Sequence, residues 1–527
     1  MSSSLPAVPS TPASAAPAQP VARPRVKPFA PRRTLGVALG VGVLAEVLLG
    51  REHWGVSFPL MVLALVGALL WVGGREGWQR AAPNTWLLTP LVVVAGFMAV
   101  RDSPWLQLLN LLTVGALFAL VAHFWATGRV ERLALGDYPG VVVSTVFRSL
   151  VQPPAMVREA VDLRGVASRL PGLFPLLRGL VLTLPVVGLF LMLLWSADAA
   201  FASALERVLA LDVGTVLEEG VGRVLGVLFS ASATAALVGH ALRRRTRREM
   251  GEEEVGEGRA WLGLTEALTL LVAVDVLFLV FVRFQVAYLF VGDAASPAPG
   301  YSYAEYARRG FFELLLVSML TLCLIMALAR WTVRETAKAK VAFQVAASVM
   351  TVLTVAILAS AMKRLGMYED AFGYTRLRVF THVFMVFLGG VLAWRGVTLW
   401  WRPERFAVGA FAAALGAVVT VNVINPDALI VRHNLARELA EDSGRLSGEG
   451  ERVARADGVV DVGYLYELSL DAVPELARGL PSTKQLNDEF RAQACADVSW
   501  PEWSLARWRA CRALSALAPE TVSAGGS

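Results

Sequence analysis

Most of the chain's length lies in apolar blocks of about membrane-spanning length, and the short segments between them hold much of its charge. That alternation leaves few folds open. In hydrocarbon a backbone must satisfy its own hydrogen bonds, so a block of roughly 20 apolar residues reads as a spanning helix. Composition agrees: the 527 residues are 56% hydrophobic and 17% charged, with mean hydropathy +0.55. A soluble domain carries about 25% charged residues.

The blocks predict an all-α, polytopic transmembrane helix bundle of about 11 spans. They are Thr34–Gly50, Phe58–Val72, Thr85–Val100, Trp105–Trp125, Gly179–Trp195, Val221–Leu242, Leu262–Phe290, Phe311–Ala329, Val341–Met362, Val379–Trp400 and Phe406–Ile424. Between the fourth and fifth lies Ala126–Leu177, where arginines are scattered among apolar residues. It reads as an amphipathic surface segment. The domain order is a Pro-, Ala- and Ser-rich cytoplasmic tail over residues 1–33, a bundle over 34–425 and a small soluble helical domain over 426–527. The first tail suits disorder rather than a cleavable signal peptide.

Charge orients the bundle. Arg23, Arg25, Lys27, Arg32 and Arg33 precede the first block, which puts the N-terminus inside. Gly73–Asn84, Ala126–Leu177, Arg243–Trp261, Arg330–Lys340 and Trp401–Arg405 then fall inside, and each is basic. The intervening loops are short, balanced or acidic. An odd span count leaves the C-terminal domain outside the cytoplasm. The net charge of +6 is thereby explained by loop bias, and no aromatic–basic interleaving suggests nucleic acid.

Cys323, Cys495 and Cys511 form no metal-ligand spacing, so no metal or cofactor is expected. Cys495 and Cys511 share the outer domain. They read either as a disulfide or as two unpaired thiols. No Walker loop, GxSxG, HExxH or GxGxxG leading into a helix occurs.

Ionisable residues inside spans are costly and therefore informative. Asp275 sits mid-span, with Arg283 two helical turns on, and Glu46 lies in the first block. The functional reading is ion or proton coupling. The structural reading, a buried Asp hydrogen-bonded to Arg or backbone, has the better prior. Outside, four polar clusters share one predicted face: Asp198 after the fifth span; Tyr303, Glu305, Arg308 and Arg309; Tyr368, Tyr374 and Arg376; and Asn425 with Asp427. Carboxylates, arginines and tyrosines on converging helix ends suit an anionic head group, a sugar or acid–base chemistry. Interfacial belts and surface ion pairs are the better explanation of any single cluster, but four such clusters on one face, with few on the other, point toward a site.

These clusters, together with Ser196-Ala197-Asp198, Gln285, Tyr288-Leu289-Phe290, Tyr464-Leu465 and Asp471-Ala472-Val473-Pro474, resemble a family of bacterial polytopic membrane proteins classed as a domain of unknown function. The family pattern has Gly-Gly after Tyr-Leu-Phe, where this chain has Val291-Gly292. The resemblance implies a bacterial integral membrane protein and no activity. The expected location is the cytoplasmic (inner) membrane. Expected partners are membrane lipid, a small-molecule or lipid-linked ligand, and a protein bound by the C-terminal domain. The expected function is transport or envelope handling at an outer-leaflet site, with Asp275 and Glu46 as the coupling acids; the alternatives are an envelope transferase using a lipid-linked donor and a non-catalytic signalling or scaffold protein.

Overall fold

The computed structural model describes residues 30–51, 53–125, 128–160, 183, 213–243, 261–286, 310–447, 462–479 and 490–517. Among these the fold is helical, without strands; a single bridge joins Leu262 to Thr332. The helices are α1 (Pro31–Leu49), α2 (Ser57–Ala81), α3 (Leu88–Phe97), α4 (Pro104–Phe124), α5 (Asp137–Ser149), α6 (Gln152–Ala160) and α7 (Val213–Leu242). There follow α8 (Leu264–Gln285), α9 (Phe311–Trp331), α10 (Ala337–Phe372), α11 (Arg376–Trp400) and α12 (Phe406–Ile424). The tail holds α13 (Pro426–Ser447), α14 (Val462–Tyr466), α15 (Val473–Gly479) and α16 (Leu505–Ala516).

Nine stretches among the described residues are long and apolar enough to cross a membrane. They bear leucine, valine and phenylalanine on their outer surfaces: Phe229, Leu277 and Val352 are more than half exposed. Such faces suit lipid and not water. These are the features of a multi-pass membrane protein.

The nine differ from the sequence reading in three places. Ser57–Phe97 is one apolar stretch of 41 residues, broken into α2, a 3-10 turn at Ala82–Leu87 and α3. The break follows Gly74, whose φ of 58° departs from the helix, and Pro83 and Asn84. The block Thr34–Gly50 does form α1, yet Arg32, Arg33 and Glu46 keep it outside the nine. Asp137–Ala160 counts among the nine, within the segment read as an amphipathic surface element. It consists of α5 and α6, each short, against α4, α7 and α1. The expected fifth span, Gly179–Trp195, and most of the N-terminal tail lie outside the described residues.

Two groups of helices build the interior. α1 packs along α7, and α2, α3, α4 and α7 share a core around Leu69, Leu91, Leu117 and Leu120. α8, α9, α10 and α11 share two more, one around Phe343 and Met350 and one around Ile357 and Met385. α12 touches both, against α3, α4 and α11. Small residues allow the closest approaches: Gly42 of α1 faces the backbone of Val227 and Ala231 in α7, where a Cβ would clash.

The loops sort by end. At one end stand the starts of α2, α4 and α11 and the ends of α3, α10 and α12, covered by the tail. Val56 donates its amide to Trp503 O at 2.9 Å, and Leu505 donates to Ala99 O at 2.8 Å. The opposite end gathers the basic segments among the described residues, at 75–80, 129–132, 330–340 and 402–405. There Trp261 and Leu262 donate amides to Trp331 O, which ties the start of α8 to the end of α9.

Candidate functional site

Two ion pairs stand at the tail-covered end, and one of them joins two residues the sequence singles out, Arg376 and Asp427. α11 begins at Arg376, one residue past Thr375, and α13 begins where α12 ends. Asn425 makes that junction in the left-handed region, φ 56° and ψ 78°, and Pro426 opens the next helix. Asn tolerates this conformation and Pro suits a first turn. The chain thus turns sharply and aims Asp427 back at Arg376.

The Arg376 guanidinium grips Asp427 with both edges, Nε–Oδ1 at 2.8 Å and Nη2–Oδ2 at 2.9 Å. Asp427 is 2% exposed. Its Oδ2 also accepts the Ser469 hydroxyl at 2.6 Å and the Ser469 amide at 3.1 Å. Burial alone would raise the Asp427 carboxyl. The Arg376 fork and the Ser469 hydroxyl outweigh it and hold the group below its ordinary value. The Arg376 amide donates to the Tyr464 hydroxyl at 2.8 Å.

The second pair was not singled out as a site from the sequence. Arg101, between α3 and α4, lies 3.2 Å from Asp471 in the tail. Asp471 also accepts the amides of Asp102 at 2.7 Å and Ser103 at 3.1 Å, at the positive start of α4. Burial pushes Asp471 above its usual value, against the pull of those amides and of Arg101. Arg101 meanwhile donates to the Asn422 and Val423 carbonyls, which the end of α12 leaves without helical partners. Asn422 and Asn110 exchange side-chain hydrogen bonds in the interior at 2.8 and 2.9 Å. Two isolated polar residues in apolar blocks were the only signal for that pair.

The remaining predicted residues at this end are also engaged. Asn425 donates to Asp471 O at 3.3 Å. Asn434 binds both backbone groups of Tyr374, and the Tyr374 ring lies 4.8 Å from that of His433. Burial, with Glu369 and Asp370 nearby, raises the Tyr374 phenol. Tyr368 carries the Arg378 guanidinium over its ring at 4.1 Å. The structure therefore brings the third and fourth sequence clusters together. Asp198, Tyr303, Glu305, Arg308 and Arg309 lie outside the described residues.

The intramembrane candidates do not converge. Asp275 and Arg283 make no ion pair: eight residues of helix separate them by about 12 Å, and Arg283 points to an exposed face. The expected hydrogen-bonded Asp is thus corrected, since Asp275 Oδ1 is buried with no partner among the described residues. Glu46 lies apart from both, its carboxylate against Gly226 of α7. In the tail, Cys495 and Cys511 are joined by a disulfide with Cα atoms 5.0 Å apart, and Cys323 is free and exposed. Among the described residues no three His, Cys, Asp or Glu gather as a metal site.

Over residues 88–479 the sequence matches the family model described as Domain of unknown function (DUF4153). That stretch takes in every motif on which the resemblance rested. No curated protein and no solved structure matches the chain.

Proposed function

The chain belongs to the family described as Domain of unknown function (DUF4153), and from that footing we propose that it is a non-catalytic membrane scaffold, holding its tail as a fixed platform at one end of the bundle. One observation carries this reading. Of the charged groups expected to form an outer-face site, the two among the described residues, Arg376 and Asp427, are spent on each other, and beside them Arg101 is spent on Asp471. A carboxylate with a bidentate arginine and two serine donors has little capacity left for substrate. What it does instead is lock the tail onto the loops before α4 and α11.

The reading places the protein in the bacterial cytoplasmic membrane, N-terminus inside and tail outside, with a protein partner for the tail. The segregation of basic loops to the opposite end supports that orientation. A complementation assay in a deletion strain tests the function. Glu305→Gln and Arg308→Ala should complement like wild type. Arg376→Ala combined with Asp427→Ala should fail at normal membrane abundance, because the platform is released. The reverse pattern sinks the scaffold and favours an outer-face enzyme.

Asp275 favours a second reading, ion-coupled transport, because a buried carboxylate oxygen without a partner among the described residues is costly in a membrane. Asp275→Asn should abolish such transport and spare a scaffold.

A further inference from the structure

The end of the bundle opposite the tail contains a cavity of about 1600 Å³. Residues 129–137, the end of α9 with the loop into α10, and the end of α11 with the loop into α12 line it. Eight lining residues are Lys or Arg and four are Asp or Glu. Loop bias toward positive charge accounts for exposed arginines at this end. It does not account for Arg395. This residue sits inside α11, more than a turn before its end, and is 4% exposed. Its Nε has no hydrogen-bond partner among the described residues.

Arg334 faces the same space, and its like charge bears on Arg395. Each guanidinium lies over a ring: Arg395 is 5.1 Å from the Phe406 centroid and Arg334 is 4.7 Å from that of Phe343. Stacking fixes the plane of a guanidinium and leaves its N–H edge for a bidentate acceptor. Arg334 also donates one N–H to Ala329 O. The carboxylates of the lining do not neutralise the cations. Among the described residues none of the eight stands in an ion pair, and Asp137 is taken up by the Ala134 amide. Two like charges, Arg395 buried and Arg334 half-buried, neither in an ion pair among the described residues, in a roomy cavity with an apolar flank of Leu133, Met326, Leu399 and Phe406 call for a large anion.

We infer that this cavity binds a phosphate-bearing ligand, with Arg334 and Arg395 on the phosphate and the apolar flank against its organic part. The chemistry is shared by an anionic phospholipid head group and a soluble phosphorylated metabolite. The site is independent of the tail platform, which occupies the other end of the bundle.

The test uses the full chain in neutral detergent, titrated with phosphatidylglycerol, phosphatidylcholine and glycerol 3-phosphate, and read by native mass spectrometry and thermal shift. Saturable binding of phosphatidylglycerol or of glycerol 3-phosphate, without competition from phosphatidylcholine, is expected. Arg334→Gln should weaken it at least tenfold, as should Arg395→Gln where that variant folds. Arg80→Gln is the control, a half-exposed arginine at the same end already paired with Glu76; it should change affinity less than twofold. Binding of the lipid that glycerol 3-phosphate does not displace assigns the lipid source, and saturable glycerol 3-phosphate binding assigns the soluble one. Absence of both, or equal weakening by Arg80→Gln and Arg334→Gln, overturns the site and leaves the scaffold reading untouched.

Discussion

At 2% exposure Asp427 has almost no water around it, so its charge is sustained by Arg376 and Ser469 alone. Removing one partner of a buried pair leaves the other uncompensated, at a cost of about 3–5 kcal/mol. Asp427→Asn should therefore lower the thermal midpoint and expose the tail to protease before the bundle unfolds. An unchanged midpoint would show the pair to be ornamental. The pH dependence follows from the direction of the shift. A carboxyl held below its unfolded value stabilises fully above roughly pH 3.9, and the stabilisation fades as pH falls through the depressed folded value. The tail should thus undock in acid, and Asp427→Asn should flatten that acid limb. Arg376 and Asp427 could both be singled out in the sequence, because charge beside an apolar block is conspicuous. Their pairing could not be, at a sequence separation of 51. Arg101 and Asp471, 370 residues apart, were further still from view.

Elements are where the sequence reads best and where its errors have simple causes. α9, α11 and α12 follow the apolar blocks closely, because each block has charged or helix-breaking residues at both ends, whereas α10 runs past its block Val341–Met362 to Phe372. The broken stretch Ser57–Phe97 shows the same physics in reverse: hydropathy runs on while Gly74, Pro83 and Asn84 interrupt the backbone. Asn84 then secures the break, donating to Phe124 O and Gly128 O and accepting the Val130 amide. In the tail, the Cys495–Cys511 disulfide closes a 16-residue separation and holds α16 to the segment before it. A loop of that size is worth about 3 kcal/mol. Cys495→Ser should lower tail stability by about that amount, seen as earlier proteolysis after Phe490, with the bundle's own melting unchanged. Parallel loss of both would mean that tail and bundle unfold as one unit.

For the whole molecule, the prediction concerns sidedness. Loops at the tail-covered end are short or mixed in charge, and those at the other end are basic, so an exported-enzyme reporter fused after Ser527 should be active and a cytoplasm-only reporter silent. The opposite result would move the tail platform to the cytoplasm and the basic cavity to the outside. What the sequence determined by itself was the class of fold, because hydrocarbon solvent forces apolar blocks into helices wherever they occur and local composition suffices to see it. It also marked which residues were too polar for their surroundings. Which of those residues meet was decided by tertiary structure. Helix packing and the turn at Asn425 bring Asp427 to Arg376 and Asp471 to Arg101, and they gather Arg334 and Arg395 around one cavity. Such contacts depend on separations of tens to hundreds of residues, over which no local pattern carries information about distance.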